Sequence, residues 1–173
     1  MAEVSLGAAR IFAGHYQIVV CDDPWRPLAD EENWTPENIL QGFAGAPCFR
    51  MVSTEAHLNN HWIELYASDQ PPLFDEWQRV TCVHFRCSTG KVYVMPVIDQ
   101  EAPVTADIPE GNYAVYVAGQ NLGIDLFSKG ENIRLTDEQL AARKDLEWYR
   151  IFLVPGIPSH IGRLKDGLKT GAS

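Results

Sequence analysis

The strongest constraint on this chain is periodicity. Apolar and polar residues alternate at every second position in short runs, each ended by Gly, Pro, Asn or Asp. A period of two sends successive side chains to opposite faces of extended backbone, so such runs describe half-buried strands. In "IFAGHYQIVV", Tyr16, Ile18 and Val20 are placed on one face. In "NHWIELYAS", Ile63, Leu65 and Ala67 oppose Trp62, Glu64 and Tyr66. "RVTCVHFRC" alternates in the same way, and "CSTGK" after it reads as a tight hairpin turn into "KVYVMPVI". "VTADI", "NYAVYVAG" and "EWYRIFLV" are further strands, with "PCFRMVS" a weaker one. About eight short strands predict an all-β domain, a two-sheet antiparallel β-sandwich.

Two segments break the pattern. Thr35, Pro36 and Glu37 supply an N-cap, a first-turn proline and a first-turn acid, and Gly42 stops the turn, which predicts a helix over Pro36 to Gln41. Thr136 with Gln139 three residues on forms a capping box for a second short helix. A length of 173 residues suits one domain with a sizeable core. The expected boundaries are residues 1–156 for the sandwich and 157–173 for a mobile tail, because the segment from Gly156 onward is rich in glycine and has little to bury.

Charge narrows the function. From Cys21 to Glu76 eleven acids face only Arg26 and Arg50, which accounts for the whole net charge of −9. Direct binding to nucleic acid calls for the opposite sign, so basic partners are expected instead. The densest part is the loop from Asp22 to Trp34, where Asp22, Asp23, Asp30, Glu31 and Glu32 are interleaved with Trp25 and Trp34. Carboxylates supply charge and exposed indoles supply anchor area, so these seven residues are the expected partner-binding patch. No apolar run reaches the roughly 18 residues of a membrane span, and the N-terminus lacks the features of a secretory signal. The expected location is the cytoplasm, with Cys21, Cys48, Cys82 and Cys87 as buried thiols rather than a disulfide framework.

Catalytic patterns are weak. His57 and His61 stand four apart, yet Leu58 occupies the position where a zincin has its glutamate, and the spacing names no third ligand. A small metal-dependent hydrolase built on this pair is an alternative reading. No nucleophile elbow or phosphate-binding loop occurs. A further alternative is a ligand module holding a sugar or lipid between the sheets with Trp62, Tyr66 and Trp77. The leading expectation is a non-enzymatic binding protein without a cofactor.

Three motifs carry a resemblance. Tyr16 and Gln17 open a strand. Trp34, Thr35, Glu37, Ile39, Gly42, Phe43 and Ala44 form a W-T-x-E-x-I-x-x-G-F-A segment. Asp107, Ile108, Pro109, Gly111 and Tyr113 lead into a late strand. In this order they resemble the competence protein J family over about residues 10 to 118. That bacterial family includes a cytoplasmic inhibitor of a competence nuclease. The resemblance implies an inhibitor or immunity protein whose basic partner is a nuclease or nuclease toxin. The matched positions themselves look structural: a cap, a helix stop and turn glycines.

Overall fold

The computed structural model describes residues 3–27, 29, 32–55, 60–97, 102–123, 135–142 and 146–167. Among these the elements run β1 (Glu3–Phe12), β2 (Gln17–Cys21), α1 (Pro36–Gln41), β3 (Phe43–Ala46), β4 (Phe49–Ser53), β5 (Asn60–Ser68) and β6 (Arg79–Cys87). They continue with β7 (Lys91–Pro96), β8 (Val104–Asp107), β9 (Gly111–Gln120), α2 (Asp137–Ala142), β10 (Trp148–Pro155) and β11 (Gly162–Asp166). One sheet has the order β1-β5-β10-β9-β6-β11 and the other β3-β4-β2-β7-β8. The class is therefore the all-β two-sheet fold that the alternation predicts. No helix among the described residues is long and apolar enough to cross a membrane.

The inner faces meet as expected for period-two strands. Ile18, Val20, Val92 and Val94 of one sheet pack on Ile63, Leu65, Phe85, Val115 and Ile151 of the other, all without solvent exposure. Each such side chain contributes about 1.5–3 kcal/mol when fully buried. Each sheet also carries an apolar cluster on its other face. On the six-stranded sheet Trp77, Phe152, Tyr66 and Trp148 gather, and on the five-stranded sheet Val19, Cys21, Met51 and Met95 do so with Trp34. The four cysteines are free; Cys21, Cys82 and Cys87 are buried as expected, whereas Cys48, in the turn between β3 and β4, is only half-buried, and burial pushes the Cys21 thiol up to about 12.

Both helices form where their caps predict. Thr35 accepts from the Asn38 N–H, Asn38 reciprocates, and Gly42 closes α1 in the left-handed region at φ 84°. The Gln139 side chain accepts from the Thr136 N–H at 2.9 Å, and the Gln139 N–H donates to Thr136 Oγ1 at 3.2 Å. The late motif has a structural role too: the Tyr113 hydroxyl donates to the Pro109 carbonyl at 2.6 Å where the chain passes from β8 to β9.

Four expectations give way. β6 and β7 are not a hairpin, because β6 pairs with β9 and β11 while β7 pairs with β2 and β8. The turn between them is a corner from one sheet to the other, held by Asp22. β5 and β10 run parallel, in register from Trp62 and Trp148, whereas the other described pairings are antiparallel. β1 and β3 arise where alternation is masked by glycine and alanine. Within the segment expected to be a mobile tail, Gly162–Asp166 is β11, paired with β6 at the sheet edge.

The parallel pair has a consequence at its shared starting end. Glu147, just before β10, comes to lie beside His61 near the start of β5, both fully inside the protein. The Glu147 carboxylate accepts from the Tyr149 hydroxyl at 2.5 Å, from the Glu55 N–H at 3.0 Å and from the Gly123 N–H at 2.9 Å. Burial, reinforced by this carboxylate, holds the Tyr149 phenol well above its usual range, so it remains a donor. His61 Nε2 stands 3.6 Å from the carboxylate, and neither ring nitrogen has a hydrogen-bond partner among the described residues.

Two stability measurements check this architecture. Gly45 has φ 98°, and a Cβ there would collide with the Phe49 carbonyl oxygen across the β3–β4 turn. Urea unfolding of Gly45→Ala is expected to show a loss of about 2 kcal/mol or more. Glu147→Ala strands one buried and two partly buried donors and is expected to cost about 3 kcal/mol or more, with Glu147→Gln losing less because one acceptor remains.

Candidate functional site

The acidic loop begins where β2 ends, and its last residue, Trp34, packs on the outer side of the same sheet. Its start is pinned by Asp22, which is 4% exposed. One carboxylate oxygen accepts from both the Ser88 N–H at 2.8 Å and the Ser88 hydroxyl at 2.7 Å. The Asp22 carbonyl accepts from the Thr89 hydroxyl at 2.9 Å, and its N–H donates to the Cys48 carbonyl at 3.1 Å. Asp22 is thus the fastening of the β6–β7 corner rather than surface charge. The loop's end is pinned by Trp34, whose Nε1–H donates to Gln17 Oε1 at 2.8 Å, back at the first residue of β2. Trp34 is half-buried against the outer apolar cluster.

Between these anchors the loop closes on itself. Arg26 meets Glu32 through two contacts, at 2.9 and 3.1 Å, and this guanidinium holds the Glu32 carboxyl below the usual carboxylate range. Glu32 charge is therefore spent within the loop. Asp23 is exposed and accepts from the Trp25 N–H at 2.9 Å, which fixes the turn. Trp25 projects into solvent with 72% of its surface exposed. Asp30 and Glu31 lie outside the described residues. Of the expected patch, Asp23 and Trp25 face outward together, whereas Asp22, Glu32 and Trp34 hold the strap in place.

A second feature lies where the strap ends. Tyr16 closes a 3-10 turn at Gly14–Tyr16 and has φ 60°, an arrangement that costs a non-glycine residue about 1–3 kcal/mol. The consequence is that Tyr16 leaves the inner face occupied by Ile18 and Val20 and is 48% exposed. α1 next to it buries none of its residues, and Ile39 and Leu40 are 60% and 78% exposed. Tyr16, Trp34 and Ile39 give an open groove of about 420 Å³ its apolar lining, and Ser53, Thr54, Glu55 and Arg163 give it a polar one. Arg163 reaches across from β11 to donate to Ser53 Oγ at 2.9 Å. Glu55 Oε2 pairs with Arg79 at 2.9 Å, and Arg79 also donates to Asp166 at 3.1 Å.

The other candidate residues fall elsewhere. His57 lies outside the described residues, and His61 is interior, edge-on to Tyr149 with ring centroids 5.8 Å apart. Among the described residues no three His, Cys, Asp or Glu side chains converge as a metal site. Trp62 and Tyr66 stand on the outer face of the six-stranded sheet, and Trp77 packs into the outer cluster with Trp148 and Phe152. None of the three lies between the sheets. Glu55 and Arg163 carried no signal in the sequence, because only β4 and β11 coming to one end of the sandwich places them together. Tyr16 and Ile39 were visible within motifs, yet not as one surface.

The family model described as Competence protein J (ComJ) matches residues 10–126. Among solved structures, ComJ from Bacillus subtilis, described as an inhibitor of the DNA degrading activity of NucA, superposes with a TM-score of 0.63 at 13% identity, covering 90% of this chain and 100% of that one. A protein described as Crocagin biosynthetic gene J superposes with a TM-score of 0.53 at 15% identity, covering 88% of this chain and 98% of that one. At these identities the likeness is one of fold, and it covers more of the chain than the family-matched span. No curated protein matches the sequence.

Proposed function

The chain belongs to the competence protein J family, and from that premise we propose that it is a protein inhibitor of a nuclease or nuclease toxin. The observation that carries the reading is this membership, over a fold shared with an inhibitor of DNA degradation. A nuclease must offer the phosphate backbone a cationic groove. An acidic protein of net charge −9 whose charge is gathered in one segment is suited to occupy that groove. Charge complementarity speeds the encounter and a desolvated aromatic anchor slows release.

The strap supplies both. Trp25 is the exposed anchor and Asp23 the adjoining carboxylate, with Asp30 and Glu31 as further charge in the same loop. Asp22, Glu32 and Trp34 tie the described parts of the strap to the fold, so less ordering of those parts is needed on binding. In this reading the chain is a cytoplasmic binding protein that blocks DNA from the nuclease, without a cofactor and without touching nucleic acid.

The test is DNA degradation by a NucA-like nuclease from the host of this chain, with the purified protein titrated in. Inhibition at near-equimolar protein is expected, weakening as salt rises from about 0.05 to 0.5 M. Trp25→Ala is expected to weaken inhibition by about tenfold or more with unfolding unchanged, and Asp23→Asn, which removes the charge but keeps an acceptor for the Trp25 N–H, to weaken it by about threefold. Absence of inhibition at large excess rejects the function. Full inhibition with unaltered salt dependence in the Asp30→Lys, Glu31→Lys, Glu32→Lys protein rejects the strap as its surface.

A further inference from the structure

We propose that the open mouth between the two sheets, with Val4, Ala67 and Leu153 on one side and Ile108 and Pro109 on the other, receives one apolar side chain of a basic protein partner. Lys and Arg flanking that side chain would meet the acids around the mouth. The inference rests on the inhibitor reading for the kind of partner and adds to it a contact beyond the exposed Trp25.

The mouth follows from strand register. On the inner face Ala67 of β5 stands between Val4 of β1 and Leu153 of β10. A methyl group between two branched side chains leaves a hollow of about 270 Å³, which Tyr113, Ile108 and Pro109 complete. Leu153 at its floor is 1% exposed and Val4 at its rim 54%. A cavity of about 150 Å³ holds a benzene ring, so the hollow has room for one leucine, methionine or phenylalanine side chain. Its walls are tied down. The Tyr113 hydroxyl donates to the Pro109 carbonyl at 2.6 Å, and the Ile108 N–H donates to the Gly90 carbonyl at 3.0 Å. Ser68, beside Ala67, donates its hydroxyl to the Gln70 carbonyl at 2.7 Å. Apart from Ser68 and Asp69 the described lining is apolar, the setting in which an anchor side chain contributes most to an interface.

The charge around the mouth selects the partner. Asp69 is part of the lining, and Glu3, Asp107 and Glu110 adjoin Val4, Ile108 and Pro109 in the chain; all four acids are exposed. Lys91 pairs with Asp107 at 2.6 Å. Arg86 donates to Asn112 at 3.4 Å on the outer face of the six-stranded sheet, where His84 meets the same oxygen. Four carboxylates against these two cations leave the rim negative. It therefore favours an apolar side chain borne among Lys and Arg over one borne among acids. The position agrees with the strap. The turn over residues 88–90 bonds Asp22 at the start of the strap and Ile108 in the wall of the mouth, so both belong to one end of the sandwich.

The experiment titrates the whole protein with the peptide acetyl-KKLKK-amide and follows the Ile108 δ1 methyl resonance, identified by its loss in Ile108→Val. A saturable shift with a dissociation constant of about millimolar is expected. Acetyl-KKAKK-amide should bind about tenfold more weakly, and acetyl-EELEE-amide should not bind. Ala67→Leu fills the hollow with the protein's own side chain, so it should abolish the shift with Tm unchanged or raised. Val4→Ser, at an exposed position, should weaken binding about threefold and decides the matter if Ala67→Leu does not fold. No saturable shift, equal affinity for the alanine peptide, preference for the acidic peptide, or undiminished binding in the folded variants would each overturn the socket. A dimer, seen by light scattering, that Ala67→Leu dissociates would also overturn it, because a second copy would then fill the mouth. In the nuclease assay Ala67→Leu should weaken inhibition about tenfold, and undiminished inhibition would remove the mouth from the interface. No nuclease is present in the peptide titration, so failure to inhibit one leaves the socket standing.

Discussion

One buried carboxylate organises the end of the molecule that carries the groove beside Tyr16 and Trp34. Glu147 is 1% exposed, and a charge in that position is tolerated only when its lone pairs are filled. Here a hydroxyl and two backbone N–H groups fill them, and they come from three separate stretches of chain: the segment after β4, the segment after β9, and β10 itself. Removing any of those stretches leaves the others with an unpaid desolvation cost. Glu55 is held by its backbone N–H to this carboxylate, which ties the groove wall it forms to the interior behind it.

The same logic applies to the acidic strap. Its composition suggests a field of surface charge, yet Asp22 and Glu32 are spent on internal contacts. Asp22 fastens the corner at which β6 hands the chain to the other sheet, so an acid that reads as a binding residue is a folding residue. Two of the five acids in the strap are thus engaged inside the protein rather than presented as surface charge. The two ends of the strap are anchored at Asp22 and Trp34, and Trp25 stands exposed after the first of them.

Much of the fold was legible because strand alternation needs only a local rule. β5, β6 and β9 follow their sequence runs closely, and both helices start at the residues whose side chains cap them. β1 and β3 were missed because glycine and alanine mask their alternation, and β11 because its short edge strand buries only its first residue. The β6–β7 turn was misread as a hairpin because a tight turn looks the same whether the next strand pairs with its predecessor or leaves for another sheet. The candidate site was legible only in part. Trp25 and Trp34 have equal chemistry and opposite fates, decided by whether an apolar cluster and Gln17 lie within reach.

The sequence by itself determined the all-β class, both helices, the sign and location of the charge, and the family. These follow from residue type and short-range spacing, which act wherever the chain goes. Only the tertiary structure decided which carboxylates reach solvent, that β10 lies parallel to β5, and that Tyr16, Trp34, Ile39 and Glu55 share one groove. Those outcomes depend on which distant strands become neighbours, and that is settled by the summed burial of two sheets rather than by any local signal.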